Sequence, residues 1–285
     1  MRSIYIVCYQ FGYKYFEDYL NTLESTIKNN IKANVKTIIY DNPEKITRDP
    51  RGVYLFCADF PKNFRDIRSA AVINFEQLTD PIRYERFKEC LSQGLNIIDF
   101  DQYQAKINQF MYIPYQIHPN EHLSLTLSTL RTPKIYDVAF CSTGGSPRRL
   151  AIYNQLIKNK ISVINIIGWK EDRDHQIAQA KILINIHYED NCFIFEHLRC
   201  DRWVFAGMIV ITENSLSDEM LDIKDLIIIG KYENLVELVI KTLKNYENVH
   251  NQLCHKLKNK ARSIVQKRKL ECLNGINKLI EMSAK

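Results

Sequence analysis

Short apolar runs alternate with stretches of helical spacing through almost the whole of this chain, and that alternation restricts its fold more than any other feature. A parallel strand is covered on both faces, so it reads as a continuous apolar run. Joining it to a parallel neighbour takes a crossover, normally a helix. The pattern therefore predicts βαβ units and mostly parallel sheets. In the first half the expected strands are Ser3–Cys8, Val35–Tyr40, Val53–Cys57, Ala70–Phe75 and Asn96–Phe100. Helices are expected near Tyr13–Lys28, Ile82–Gln93 and Gln102–Gln109, the last followed by a short apolar piece, Met111–Tyr115. From Gln116 to Lys134 the alternation breaks, and Pro119, several Ser and Thr residues and Thr132-Pro133 read as a connector. It restarts with strands Ile135–Cys141, Ser162–Ile167, Ile182–Ile186, Met208–Thr212 and Leu226–Ile229. Between these lie helices over Arg148–Lys158, Asp172–Ala180 and Phe193–Phe205, with more helix from Asn234 onward.

The resulting expectation is an α/β chain of two Rossmann-like lobes facing a central cleft, with a C-terminal helical extension. Residues 1–118 form the first lobe, 119–134 the connector and 135–246 the second lobe, while 247–285 supply basic helices packed across the lobes. A length of 285 residues suits two domains of ordinary size. Open α/β sheets bind ligands at the carboxyl ends of their strands. Polar residues at those ends are accordingly the candidates for function.

Several classes are disfavoured. No apolar run reaches the roughly 18 residues that a membrane span requires. The N-terminal Met1–Cys8 reads as a first strand and not as a signal peptide, so a cytoplasmic chain is the expectation. The eight cysteines include none in C-x-x-C pairs, and Cys8, Cys57 and Cys141 sit in apolar runs, as buried thiols do. His118, His122, His175 and His197 lack ligand spacing, so no protein-bound metal is expected. The net charge is +6, with Lys and Arg concentrated over Lys241–Lys269. That segment suits a solvated amphipathic helix, and it also leaves open peripheral contact with a membrane or, less well supported, a nucleic acid. The absence of interleaved aromatics counts against nucleic acid.

Two stretches could carry chemistry. The first is Cys141-Ser-Thr-Gly-Gly-Ser-Pro-Arg-Arg149, between a strand and a helix. Gly144 and Gly145 allow close backbone approach, Ser142, Thr143 and Ser146 offer hydroxyls, and the helix N-terminus with Arg148 and Arg149 favours an anion. It is neither a Walker loop nor a full G-x-G-x-x-G, and a plain strand-to-helix turn capped by Ser146 explains it equally well. The second runs from Ile184 to Arg199. Glu196 and Arg199, three apart on an expected helix, could hold sugar hydroxyls and a diphosphate, or could simply pair with each other. Glu213-Asn-Ser215 ends a later strand, and capping is the common use of such residues. In the first lobe, Asn74-Phe-Glu-Gln77 puts Glu76 at a strand end, as Tyr9–Gly12 does after the first strand.

The run "AKILINIHYEDNCFIFEHLRCDRWVFAGMIVITENS" resembles the nucleotide-sugar-binding half of GT-B glycosyltransferases, in particular bacterial and giant-virus proteins with an NIHYY…ExxR…G…VISE pattern. The matching residues are Asn185, His187, Tyr188, Glu196, Arg199, Gly207 and Glu213. Residues 137–169 resemble the phosphate-loop unit of that group, and "INFEQ" with "IPYQIHP" its acceptor-lobe and connector segments. The resemblance implies transfer of a sugar from a nucleoside-diphosphate sugar to a glycan, protein or lipid-linked acceptor, with no tightly bound cofactor and no metal. It implies donor contacts from Ser142, Thr143, Gly144, Gly145, Arg148, Gly168, His187, Tyr188, Phe195, Glu196 and Arg199. Glu196 would meet donor hydroxyls and Arg199 the diphosphate, with Glu76 or Asp59 as a base from the first lobe. The sequence departs from the two-glutamate pattern of many retaining members: Asp201 and Arg202 stand near the second position. Two other readings remain: a non-catalytic nucleotide- or sugar-binding module, and a nucleic-acid-associated protein using the basic helix.

Overall fold

The computed structural model describes residues 2–57, 64, 68–92, 96–117, 119–140 and 146–282. The chain forms two compact units, residues 1–118 with 265–285, and residues 119–264.

The first unit runs β1 (Arg2–Tyr9), α1 (Gln10–Lys28), β2 (Ala33–Tyr40), β3 (Val53–Cys57), β4 (Ala70–Asn74), α2 (Pro81–Ser92), β5 (Asn96–Asp99), α3 (Gln102–Asn108) and β6 (Met111–Tyr112). The strands make a wholly parallel sheet in the order β2-β1-β3-β4-β5-β6. β3 and β4 are buried at every residue, which explains their unbroken apolar sequence. α1 buries Tyr19, Leu20, Leu23 and Ile27, a stripe at helical spacing.

The second unit runs α4 (Pro119–Arg131), β7 (Tyr136–Phe140), α5 (Pro147–Lys158), β8 (Val163–Asn165), α6 (Lys170–Ala178), β9 (Ala180–Asn185), α7 (His197–Phe205), β10 (Ile209–Glu213), β11 (Ile228–Gly230), α8 (Leu235–Lys244) and the start of α9 (Tyr246–Met282). Its sheet is again parallel, in the order β8-β7-β9-β10-β11. The last part of α9 belongs to the first unit, where the Arg268 guanidinium donates to the Tyr115 carbonyl at 3.1 Å and Arg2 donates to that of Ile280. No helix of the described residues is long and apolar enough to cross a membrane.

Both sheets share one winding. The chain goes outward from the first strand to the second, then returns across it to the third. The direction of winding reverses between β1 and β3 in one unit and between β7 and β9 in the other. A crevice opens at such a reversal, beyond the carboxyl ends of the two strands.

Two expectations change. The stretch 119–131, read as connector, is a helix. Pro119 occupies its first position, where no N–H is required, and Leu125 and Thr129 bury one face. The helix expected over Phe193–Phe205 begins only at His197. The Leu216 N–H donates to the Phe193 carbonyl at 2.9 Å, and the Ser217 hydroxyl accepts the Phe195 N–H at 3.4 Å. Those bonds tie 193–195 to the loop after β10 and keep them out of the helix.

Candidate functional site

In the second unit, the chain leaves β9 at Asn185 and enters the loop Ile186–Glu196, while α5 starts on the other side of the reversal point. Three side chains at the α5 N-terminus grip that loop. The Ser146 hydroxyl caps the helix by accepting the Arg149 N–H at 3.3 Å and donates to the Tyr188 carbonyl at 2.6 Å. Arg149 is buried, donates from Nε to the Ile186 carbonyl at 2.9 Å and lies over the Tyr188 ring. Arg148 donates to the His187 carbonyl at 3.2 Å and meets Glu213 at two points, 2.7 and 3.1 Å. It also pairs with the exposed Asp190 and covers the Tyr232 ring. Burial opposes the charge on Arg148, yet Glu213 and Asp190 outweigh it, and its pKa is raised.

A second layer lies on the other side of β9. Asn185 is fully buried, donates to the Thr212 hydroxyl at 3.0 Å and accepts from Arg199 at 2.9 Å. Arg199 stands in the first turn of α7. His187 is buried as well. Its N–H donates to Glu213 at 3.1 Å, and its Nε2 lies 3.0 Å from the Asn214 carbonyl, an acceptor that requires the proton on Nε2. Its Nδ1 is buried without a hydrogen-bond partner among the described residues. Asn185, His187, Arg199 and Glu213 are thus brought to one edge of the sheet, with Arg148 and Tyr188.

Other candidates fare differently. Ser142, Thr143, Gly144, Gly145 and Asp59 lie outside the described residues. Phe195, expected to touch a ligand, is a core residue at 1% exposure, edge-on to the His197 ring. Glu196 does not share a helical face with Arg199. It is the cap residue before α7, and its carbonyl accepts the Arg199 and Cys200 N–H groups at 3.0 Å each. Arg148, expected on phosphate, has its charge already met by Glu213. Gly168 follows β8 at φ +96°, a conformation that costs a side-chain-bearing residue about 1–2 kcal/mol. Asp201 and Arg202 are spent internally, on His197 at 3.0 Å and Asp174 at 2.9 Å. Arg149 was legible as a basic residue of the loop, but nothing in the sequence marked it as buried.

Glu76 lies in the first unit, after β4. Its half-exposed carboxylate pairs with Arg83 at 3.3 Å, and Arg83 also meets Asp80 at 3.2 Å. Beneath it sits a hub that sequence reasoning missed. The Asp99 carboxylate, fully buried, accepts from Asn74 at 2.7 Å, from the Asp101 N–H at 2.8 Å and from Gln104 at 3.2 Å. Asn74 clasps the Glu76 backbone through both its N–H and its carbonyl, at 2.8 and 2.9 Å, and Gln104 accepts the Leu78 N–H at 2.6 Å. Burial pushes Asp99 up to about 7 against those donors. Among the described residues no three His, Cys, Asp or Glu side chains are grouped to hold a metal ion.

No protein-family model matches the chain. Among solved structures it is similar to a crystal structure titled alpha1,3-fucosyltransferase with GDP, at 12% identity over 88% of this chain and 81% of that one, with a TM-score of 0.43. It is similar also to one titled glycotransferase of kitacinnamycin, at 11% identity over 99% and 98%, with a TM-score of 0.42. Among curated sequences, the Acanthamoeba polyphaga mimivirus protein named "Uncharacterized protein L138" is 35% identical, and this chain covers 30% of its length. "Uncharacterized protein L140" of the same virus is 36% identical over 251 residues, which are 85% of this chain and 81% of that protein. The chain belongs to the family of that mimivirus protein, L140.

Proposed function

We propose that the chain is a glycosyltransferase of the GT-B type that holds a nucleoside-diphosphate sugar at the carboxyl edge of the second unit's sheet. The observation that carries this reading is the meeting of Asn185, His187, Arg199 and Glu213 beside the β7/β9 reversal, a place where such sheets take nucleotides. The resemblance of the 180–215 segment to donor-binding halves supports the same assignment.

The demanding step in this chemistry is departure of a diphosphate while the anomeric carbon becomes cationic. Fixed donors aimed at the leaving group lower that barrier, because they need no reorganisation as charge develops. Arg199, oriented by Asn185, is the guanidinium for the diphosphate. The α5 N-terminus supplies backbone N–H groups and the positive end of a helix dipole. Arg148 has a different task from that of a phosphate ligand. Neutralised by Glu213, it locks the β9 and β10 exits to α5 and so keeps Tyr188 and His187 in place. Glu196 is the donor-hydroxyl residue of this reading and Glu76 the acceptor base.

Thermal shift with UDP, GDP and dTDP and their common sugar conjugates tests the proposal. A nucleoside diphosphate that raises the melting temperature, and slow hydrolysis of its sugar conjugate without acceptor, are expected. A chain that no nucleoside diphosphate stabilises is not this enzyme.

A further inference from the structure

A cleft of about 510 Å³ lies wholly within the second unit, lined by α4, the end of α7 and the first half of α9. Lys134 precedes β7 and Phe205–Gly207 precede β10, so the cleft lies at the amino edge of the parallel sheet. The candidate donor residues stand at the opposite, carboxyl edge. Leu130, Phe205, Tyr246, Leu257 and Ala261 give the cleft apolar walls, and Leu130 is 70% exposed. His250 Nε2 lies 3.1 Å from the Gly207 carbonyl and Tyr246 stacks on the His250 ring, which holds α9 along the cleft. Lys134 is half-buried beside these residues. Its ammonium donates to the Ala178 carbonyl at 2.6 Å and has no carboxylate partner among the described residues. Burial pushes its pKa down to about 8. Lys258 brings a second cation, and among the described residues the exposed Glu247 is the one acid that lines the cleft.

We propose that this cleft binds a small molecule with an apolar body and a single carboxylate, which pairs with Lys134. Pockets that bury small ligands enclose roughly 300–1,000 Å³ and set a few polar groups in an apolar lining. The walls take the body out of water, and the carboxylate accepts the ammonium protons that Ala178 leaves unused. A half-buried cation without a counter-charge is costly, and an anion bound beside it recovers part of that cost. A neutral ligand leaves the cost in place, and a cationic one adds a like charge. A second protein chain is a poorer occupant, because lysine is depleted from the cores of protein interfaces. The site does not depend on the donor reading.

The test is isothermal titration calorimetry of the full chain at neutral pH with decanoate, naphthoate, decanol and decyltrimethylammonium. At least one of the two acids should bind, about tenfold or more tighter than the alcohol and the cation, the scale of one charge-assisted hydrogen bond. Decanoate ahead of naphthoate identifies an aliphatic body, and the reverse order a flat aromatic one. Lys134→Met keeps the apolar stem without the charge. It should weaken the acid by about the same factor and leave the alcohol unchanged. Leu130→Glu, at an exposed position, should weaken the acid as well and melt with the wild type. The proposal is overturned if neither acid binds, if the alcohol or the cation binds as tightly as the acid, or if Lys134→Met keeps the preference. It is equally overturned if the chain self-associates in sedimentation and Leu130→Glu abolishes that, since the cleft is then an interface between copies.

Discussion

Arg148 and Glu213 lie 65 residues apart in the sequence and meet in a two-point ion pair with less than a fifth of either side chain exposed. The pair spans from the first turn of α5 to the end of β10, and between them passes the exit of β9, whose His187 carbonyl and N–H bond to Arg148 and Glu213 respectively. One ion pair therefore ties three consecutive exits of the sheet together.

Removing one partner leaves the other charged and largely buried. Glu213→Leu should cost about 3–5 kcal/mol, whereas replacing both, as Arg148→Met with Glu213→Leu, should recover most of that loss. Urea unfolding of the single and double variants decides the matter. A double variant as unstable as the single one would mean that the pair contributes through something other than its charges.

Arg199 is the residue on which the donor reading depends. Arg199→Ala should abolish stabilisation by a nucleoside diphosphate, and Arg199→Lys should restore little, since an ammonium cannot reproduce a two-point grip on both Asn185 and a diphosphate. Asn185→Ala should weaken the same shift by leaving the guanidinium unoriented. Unchanged nucleotide shifts in Arg199→Ala would remove this arginine from the site.

The strands were readable because parallel strands have no solvent face. Val53–Cys57 and Ala70–Asn74 could be delimited from apolar content alone. The helix over 119–131 is hard to read from sequence, because Pro, Ser and Thr are common loop residues, whereas here Pro119 is a legitimate first helical position and Thr126 and Thr129 face inward. Arg148 illustrates the deeper limit. A basic residue after a glycine pair suggests phosphate, but whether its charge is free depends on Glu213, and that contact exists only once β7, β9 and β10 are placed side by side. Asp99 was invisible for the same reason: three donors from two different segments converge on it, and no local spacing announces them.

Asp99 makes a pH prediction. Its folded-state pKa of about 7 lies above the ordinary carboxylate range, so the folded unit holds a proton that the unfolded chain releases. The stability linked to that proton is complete below about pH 4 and is lost as pH rises toward 7, a change on the order of 4 kcal/mol. Asp99→Asn cannot titrate. The difference in unfolding free energy between wild type and Asp99→Asn should fall from pH 4 to 7 and level off above. A constant difference across that range would show that Asp99 remains ionised throughout.

The final prediction sets two opposed effects against each other at Gly275 in α9. Alanine in a helix interior is favoured over glycine by about 1 kcal/mol, so Gly275→Ala would stabilise an isolated helix. Here a β-carbon would lie 2.8 Å from Ile113 Cγ1 and 3.0 Å from its Cδ1, and Ile113 is buried. Overpacking of that kind costs about 1–3 kcal/mol, which exceeds the helical gain. The variant should therefore melt below the wild type. Adding Ile113→Val removes the Cδ1 methyl group, relieves one of the two close contacts and should raise the melting temperature above that of Gly275→Ala alone. If Gly275→Ala is as stable as the wild type or more so, α9 does not need its glycine in order to seat against Ile113.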